Sequence, residues 1–309
     1  MRILILGDSA IARKRLLPAL ATLSEVTSVE VASRSAFGAA FSDYESALAK
    51  SDAELVYVSL VNSSHALWAE RALDTGRHVV VDKPAFLDRE QAERLVELSR
   101  TRGLCLAEAT VYTRHPQIAA IRDLFGPSEG APRSIVATFS FPPLDADNFR
   151  YRKALGGGAL YDLGPYAVSP GRLFWGDRPT EVECRILSTS GPDDVETSFS
   201  ILMTYPEGRA LVGQFGFASA YRNRLSLLGN HRCVDVDRVF TTPESLENEL
   251  RVSQGGEVSA VKTPAADSFA LFMREVLAKI ATRDLESLRA ELLEDALLLE
   301  RMRRSALER

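Results

Sequence analysis

Three side chains that can bind or exchange protons stand in defined sequence settings. Lys83 comes just after the apolar run 78–81, and Asp162 and Tyr166 are four residues apart behind the glycines at 156–158. An ammonium, a carboxylate and a phenol can together hold a polar substrate and move a proton to or from one of its oxygen atoms. We therefore ask which elements would position these groups.

The run His78-Val79-Val80-Val81 predicts a strand that is buried on both faces of a parallel sheet. Asp82 and Lys83 then stand at the carboxyl end of this strand, where open α/β sheets bind their ligands. Pro84 biases the backbone of Lys83 toward an extended conformation. Taken alone, this pattern also fits an ordinary surface lysine in a turn.

The three glycines at 156–158 precede a helix predicted over residues 159–175. Glycines at this place let the beginning of the helix approach another surface closely. The spacing of four puts Asp162 and Tyr166 on one face of the helix. An amphipathic helix whose tyrosine packs against a sheet would explain the same pattern.

Strictly alternating strands and helices up to about residue 118 predict an α/β fold with a doubly wound parallel sheet, the Rossmann arrangement. The predicted strands there are 2–6, 26–32, 55–61, 78–81 and 104–107, and the predicted helices are 11–20, 43–50, 65–75 and 88–102. Later alternating runs predict mostly antiparallel strands near 133–141, 181–188, 197–205, 210–217, 224–229 and 233–240, with final helices over 266–306. We predict two domains, a Rossmann domain over residues 1–118 and an α+β domain over residues 119–309.

The turn between the first predicted strand and the first helix has the place of a dinucleotide phosphate loop. Backbone N–H groups and a helix N-terminus meet a pyrophosphate there. Gly7 holds the first glycine position of the usual motif, whereas Ser9 and Ala12 stand at the second and third. These residues are small enough to keep the mechanism, and we include Ala10 and Ile11 among the contacts. An ordinary strand-to-helix turn remains the alternative.

The end of the second predicted strand reads Ser33-Arg34-Ser35. An acidic residue there would accept the ribose hydroxyls of NAD(H) and repel a 2′-phosphate. A guanidinium flanked by hydroxyls instead suits a phosphate. We predict that Ser33 and Arg34 favour NADP(H) over NAD(H), with a solvated arginine in a turn as the alternative.

Composition excludes several classes of protein. The chain has 309 residues with 37 basic and 42 acidic side chains, so nothing marks a cationic nucleic-acid surface. No apolar stretch approaches the roughly 20 residues that span a bilayer, and the histidines lack metal-ligand spacing. We predict a soluble cytoplasmic protein without a metal, a membrane or a nucleic acid as partner. Its cysteines are predicted to be reduced and buried: Cys105, Cys184 and Cys233.

Taken together, these motifs resemble those of the Gfo/Idh/MocA oxidoreductase family. Asp82-Lys83-Pro84 stands where the family has Glu-Lys-Pro, and residues 156–162 match its glycine-rich helix start. Tyr166 replaces the frequent histidine, as in the branch that includes the sugar 3-ketoreductases of deoxysugar biosynthesis. The segments His115-Pro116-Gln117 and Arg150-Tyr151 also look like that group.

The resemblance implies a hydride transfer, dependent on NADP(H), to or from a sugar carbon. A ketoreductase that acts on a nucleotide-linked deoxysugar is the leading interpretation. A free-sugar or trans-diol dehydrogenase and a non-catalytic NADP(H)-binding sensor are the alternatives. The resemblance also implies that another subunit covers the second sheet, so we expect a homodimer and leave a homotetramer open.

The resemblance further implies the catalytic roles. Tyr166 is the acid/base, although a free tyrosine titrates only near about pH 10. Lys83 is implied to contact the substrate beside the nicotinamide, and its ammonium would favour the phenolate of Tyr166. Asp162 would hold a substrate hydroxyl or orient Tyr166.

The remaining implied cofactor contacts are Leu60, His65, Asp82 and Arg150. Asp82 is one methylene shorter than the family's glutamate, so its contact must be rearranged. His65 could equally cap a helix, and Arg150 could be an ordinary exposed arginine. His115 is either a substrate contact or the end of a strand-to-helix connection.

Overall fold

The computed structural model of the chain describes residues 1–34, 38–127 and 129–308. The chain divides into two compact units. The first unit consists of Met1–Thr110, Ala154–Gly156 and Phe269–Leu297, and the second of Val111–Lys153, Gly157–Ser268 and Leu298–Arg309. The predicted fold class is confirmed, whereas the functional division at residue 118 stays a prediction.

A parallel sheet with the strand order β2-β1-β3-β4-β5 forms the centre of the first unit. Because β1 lies between β2 and β3, the loops that follow these strands share one edge of the sheet, where ligands bind in open α/β sheets. The strands are β1 (Arg2–Leu6), β2 (Ser28–Ala32), β3 (Leu55–Val58), β4 (His78–Asp82) and β5 (Leu106–Ala109).

Most helices begin close to their predicted positions, and the helix predicted over 11–20 starts with a π-helical segment, Ala12–Leu16, that leads into α1. Asp43 and Asp88 each accept backbone N–H bonds from the first turn of the helix that follows, which fixes two of these starts. The helices are α1 (Leu17–Ala21), α2 (Tyr44–Lys50), α3 (His65–Asp74), α4 (Arg89–Thr101), α5 (Pro116–Leu124), α6 (Ala159–Asp162), α7 (Gly164–Trp175), α8 (Ser268–Thr282) and α9 (Glu286–Leu307).

The core of the first unit lies around the central strands of its sheet. Leu4, Leu6, Val56, Val79 and Val81 have no exposed surface. Burial on both faces explains why these strands are continuous apolar runs. Removing each such side chain from water contributes roughly 1.5–3 kcal/mol, so the loops at the edge of the sheet rest on a stable base.

The second unit contains an eight-stranded sheet with the order β13-β12-β11-β10-β6-β9-β8-β7. Its pairs are antiparallel except for β6 with β9. The hairpin of β12 and β13 is missing from the sequence prediction, because almost every side chain of β13 is exposed. The strands are β6 (Ser134–Ser140), β7 (Glu181–Ser190), β8 (Val195–Tyr205), β9 (Arg209–Gly216), β10 (Arg222–Leu228), β11 (Arg232–Asp237), β12 (Asn248–Gln254) and β13 (Glu257–Thr263).

The prediction of a single helix over residues 159–175 is wrong, because the structure divides this segment at Leu163 into α6 and α7. Pro165 has no N–H group with which to bond the carbonyl of Tyr161, so the helical ladder is interrupted there. Asp162 ends α6, and Tyr166 lies in the first turn of α7.

The three cysteines are free thiols. Cys105 and Cys184 are buried as predicted, and burial raises the pKa of each thiol to about 12. The prediction is wrong for Cys233, which is partly exposed on β11.

Within residues 1–34, 38–127 and 129–308, every helix is too short or too polar to cross a bilayer. The same described residues contain no cluster of three or more His, Cys, Asp or Glu side chains that could hold a metal ion.

Candidate active site

The loop after β1 turns sharply at Gly7. Gly7 has a φ of 105°, a conformation that side chains rarely adopt. A Cβ atom there would collide with the carbonyl oxygen of Ser59, and the Gly7 N–H donates to the Ala32 carbonyl at 2.9 Å. Only glycine therefore lets this loop pack closely between the ends of β2 and β3.

In the rest of the predicted phosphate loop, the hydroxyl of Ser9 is bonded to other groups of the protein. The Oγ atom of Ser9 accepts the N–H of Ala12 at 3.0 Å and lies 2.7 Å from the Oγ of Ser59. Ala10 and Ile11 are exposed beside it. The four predicted loop contacts, Gly7, Ser9, Ala10 and Ile11, stay predictions, and the Ser9 hydroxyl is bonded inside the protein.

Arg34 follows the end of β2, and its guanidinium makes a cation–π contact. Its guanidinium carbon lies 5.0 Å from the ring centre of Tyr44, and this ring packs edge-on against Trp68 at 5.0 Å. Such a cation–π contact limits the positions of an exposed guanidinium. Ser33 next to it is buried, and Ser35 lies outside the described residues.

The carboxylate of Asp82 at the end of β4 accepts two short hydrogen bonds. The hydroxyl of Tyr57 donates to Oδ1 at 2.6 Å, and the hydroxyl of Ser59 donates to Oδ2 at 2.6 Å. The next residue, Lys83, is partly exposed, and its peptide bond to Pro84 is cis. Asp82 thus stands beside the predicted catalytic lysine with both oxygens engaged.

His65 begins α3 and has no exposed surface. Its Nδ1 lies 2.9 Å from the carbonyl oxygen of Pro84, and its Nε2 lies 3.1 Å from that of Leu60. Burial lowers the pKa of His65, and the nearby Asp82 carboxylate opposes this shift. His65 therefore joins the segment after Lys83 to the segment after β3, and a direct cofactor contact of His65 or Leu60 stays a prediction.

Gly157 and Gly158 of the second unit pack against the turn that carries Arg150. A Cβ atom at Gly157 would lie 2.5 Å from the carbonyl oxygen of Arg150. The same carbonyl accepts the N–H of Gly158 at 2.9 Å. The glycines thus allow the close approach that the sequence predicts, and its target is the backbone of Arg150.

The side chain of Arg150 pairs with the predicted site carboxylate. Its Nε lies 2.8 Å from Oδ2 of Asp162, and these side chains are 29% and 8% exposed. Burial alone would lower the pKa of Arg150, but Asp162 raises it, and the charge of a Tyr166 phenolate would act in the same direction. Arg150 is therefore an ion-paired cation rather than an ordinary exposed arginine.

Tyr166 stands in an aromatic cluster. Its ring centre lies 5.8 Å from that of Tyr112, 5.2 Å from Phe139 and 5.4 Å from Phe240. The hydroxyl of Tyr112 is engaged elsewhere: Ser169 donates to the Pro165 carbonyl, so Tyr112 donates to Ser169, at 2.7 Å. The cluster fixes the plane of the Tyr166 ring while leaving that residue partly exposed.

His115 begins α5 rather than projecting into solvent. It is 1% exposed, and its Nδ1 accepts the N–H of Gln117 at 3.3 Å. Burial lowers the pKa of His115 to about 4, so the ring is neutral at pH 7. This position agrees with the strand-to-helix interpretation of the sequence.

Sequence reasoning missed Tyr44, Tyr57 and Ser59. Tyr57 and Ser59 are two residues apart along the line of β3, so their side chains share a face. A tyrosine and a serine at this spacing in an otherwise apolar run, Leu55-Val56-Tyr57-Val58-Ser59, were the available signal. Their common partner Asp82 is remote in sequence and could be found only in the fold.

Comparison with known proteins covers both units. Residues 1–110 match the family described as an oxidoreductase family with an NAD-binding Rossmann fold, and residues 128–234 match the GFO/IDH/MocA C-terminal domain. A dTDP-3,4-didehydro-2,6-dideoxy-alpha-D-glucose 3-reductase of Actinomadura kijaniata is 34% identical over 89% of this chain and 86% of its own. The reductase of the same description from Streptomyces antibioticus is 33% identical over 89% of this chain and 87% of its own.

A solved structure has a similar fold over nearly the full length. It is a 3-ketoreductase from Actinomadura kijaniata in complex with NADP and TDP-benzene, with 31% identity and a TM-score of 0.92. The match covers 99% of this chain and 98% of the other.

Proposed function

The chain belongs to the Gfo/Idh/MocA family of oxidoreductases, and we propose that it uses NADPH to reduce a keto group of a nucleotide-linked deoxysugar. The observation that carries this proposal is the similarity to dTDP-sugar 3-reductases over nearly the whole length of both chains. Both units take part in that similarity, so it includes the Rossmann unit and the unit that holds Tyr166.

The residues of the first unit fit a phosphorylated dinucleotide. The loop at Gly7 is shaped by a close approach that a Cβ atom would prevent, and Ala10 and Ile11 are exposed beside it. At the end of β2, the guanidinium of Arg34 packs on the ring of Tyr44 and suits a 2′-phosphate. We assign the pyrophosphate to the loop and the 2′-phosphate to Arg34.

The reduction adds one hydride and one proton to the keto group. Bound NADPH supplies the hydride for the keto carbon. We assign the proton to the phenol of Tyr166, which gives it to the keto oxygen and is later reprotonated from solvent. Lys83 donates a hydrogen bond to that oxygen, and Asp162, ion-paired with Arg150, holds a substrate hydroxyl.

The proposal is tested by following NADPH oxidation with two classes of substrate. We expect turnover with a dTDP-linked 3-keto deoxysugar and at least 100-fold lower kcat/KM with free keto sugars. Oxidation of free sugars or trans-diols with NADP+ at comparable efficiency would instead establish the dehydrogenase alternative. Tight NADPH binding without turnover of any of these compounds would indicate a sensor.

We also propose that the chain forms a homodimer through the outer face of its eight-stranded sheet. Val136, Leu202 and Val212 are neighbours in the register of β6, β9 and β8, and each is 41–44% exposed. Beside them on the same face, Arg224 and Asp235 form an ion pair at 2.6 Å. An apolar strip next to paired charges is suited to contact with a second copy of itself.

Leu202→Asp is expected to convert the dimer into monomers, because it places a charge within the apolar strip. Light scattering coupled to size-exclusion chromatography measures the mass of each species. Leu307→Asp is the matched control, since Leu307 is also exposed and apolar but lies at the end of α9. A wild-type monomer, or a Leu202→Asp variant that keeps the wild-type mass, would contradict the proposed interface.

A further inference from the structure

A chain of hydrogen bonds runs through the first unit from the loop after β1 to Asp82. The backbone N–H of Ala12 bonds to Ser9 at 3.0 Å, Ser9 lies 2.7 Å from Ser59, and Ser59 lies 2.6 Å from Asp82. Tyr57 reaches the other oxygen of Asp82 at 2.6 Å. The chain crosses three neighbouring strands, β1, β3 and β4, at their carboxyl ends.

The direction of every proton in this chain is determined. Ser59 has one hydroxyl proton and donates it to Asp82, so it must accept from Ser9. Ser9 therefore donates to Ser59 while it accepts the N–H of Ala12. Every donor thus points toward Asp82, whose ionised carboxylate is an acceptor only.

The backbone on the far side of Lys83 is held as well. The carbonyl oxygen of Pro84 lies 2.9 Å from Nδ1 of His65, and the N–H of Ala85 donates to Oε2 of Glu108 at 2.7 Å. Lys83 thus stands between two fixed segments. The segment before it, through Asp82, is hydrogen-bonded by way of Ser59 to the loop assigned to the pyrophosphate.

We propose that Asp82 is a positioning residue that couples the dinucleotide loop to Lys83 through Ser59 and Ser9. The inference rests on the proposed function, since it requires a cofactor at the loop and a lysine that serves the reduction. This role is separate from the cofactor contact that the sequence predicts for Asp82. Each carboxylate oxygen accepts one donor at 2.6 Å and keeps a second lone pair, so the two bonds leave an acceptor site for a further donor.

The coupling can be measured by NMR without any turnover of substrate. The lysines are methylated reductively with 13C-formaldehyde, and the Lys83 signal is identified by its absence in Lys83→Arg. We expect NADP+ to shift this signal in the wild type and to shift it by less than half as much in Ser59→Ala. Ser99→Ala, which removes another buried serine hydroxyl from the same unit, is expected to keep the full shift. An equal shift in Ser59→Ala would overturn the coupling.

Steady-state kinetics and NADPH affinity provide a second test of the coupling. Loss of one buried hydrogen bond in the chain is expected to lower kcat about tenfold in Ser59→Ala and to change the Kd for NADPH less than about threefold. In a Lys83→Met background, Ser59→Ala is expected to cause no further loss, because its effect acts through Lys83. An equal tenfold loss in both backgrounds would overturn the proposal.

Two further outcomes are a variant that does not fold and a wild-type protein that does not bind NADP+. If Ser59→Ala does not fold, Ser9→Ala removes the other hydroxyl of the path to Asp82, and the same two measurements apply. Failure of the wild type to bind NADP+ would refute the proposed function itself, whereas binding without a smaller shift in the variant refutes only the coupling.

Discussion

Tyr166→Phe is expected to lower kcat for the keto sugar by about 100- to 10,000-fold, the usual contribution of a positioned general acid. The phenylalanine ring keeps the contacts with Tyr112, Phe139 and Phe240 at 5.8, 5.2 and 5.4 Å. Folding and NADPH binding should therefore stay at their wild-type values. Steady-state kinetics, with NADPH affinity from fluorescence titration, check both parts.

Tyr112→Phe is the matched control for this experiment. Tyr112 belongs to the same aromatic cluster, and its hydroxyl donates to Ser169 at 2.7 Å. Loss of that buried hydrogen bond should cost about 1 kcal/mol of unfolding free energy and leave kcat within a few-fold of the wild type. If Tyr166→Phe retained wild-type kcat, the proton would have to come from another group.

Arg34→Ala is expected to lower the preference for NADPH over NADH, measured as the ratio of the two kcat/KM values, by about 10- to 100-fold. A hydrogen bond to a charged phosphate contributes about 1.5–3 kcal/mol, and about 1.4 kcal/mol is a factor of ten. The contact with the Tyr44 ring orders the Arg34 guanidinium before the cofactor binds. Little of the binding free energy is therefore lost to ordering this side chain.

Arg71→Ala provides the comparison, since Arg71 stacks on Trp68 at 5.0 Å in the same group of aromatic contacts. Arg71 lies on α3 rather than at the end of β2, so its removal should leave the cofactor ratio unchanged. An unchanged ratio in Arg34→Ala would refute the assignment of the 2′-phosphate. A changed ratio in Arg71→Ala would show that the variants act through the packing of α3 instead.

The sequence predicts the first sheet well because its central strands are buried on both faces. The runs around Leu4, Val56 and Val80 are mostly apolar, and such runs leave few alternatives. The second sheet is harder to predict because β13 is an edge strand whose side chains are almost all exposed. Its position follows from pairing with β12, which is a tertiary property.

The candidate site divides in the same manner. Local sequence places Lys83 at a strand end and Tyr166 behind a glycine run, and the resemblance implies their roles, which stay predictions. The partners of Asp82 could not be predicted, since Tyr57 and Ser59 precede it by 25 and 23 residues. The resemblance points to Arg150, but its pairing with Asp162 is a tertiary contact that the sequence does not show.

The hydrogen-bond chain that ends on Asp82 also constrains how this protein can diverge. A glutamate at that position would carry its carboxylate one methylene farther, away from distances that now satisfy the hydroxyls of Tyr57 and Ser59 at 2.6 Å. We expect the longer acid to require a compensating change at Tyr57 or Ser59. These three positions are therefore expected to vary together, although Asp82 lies on β4 and the other two on β3 and directly after it.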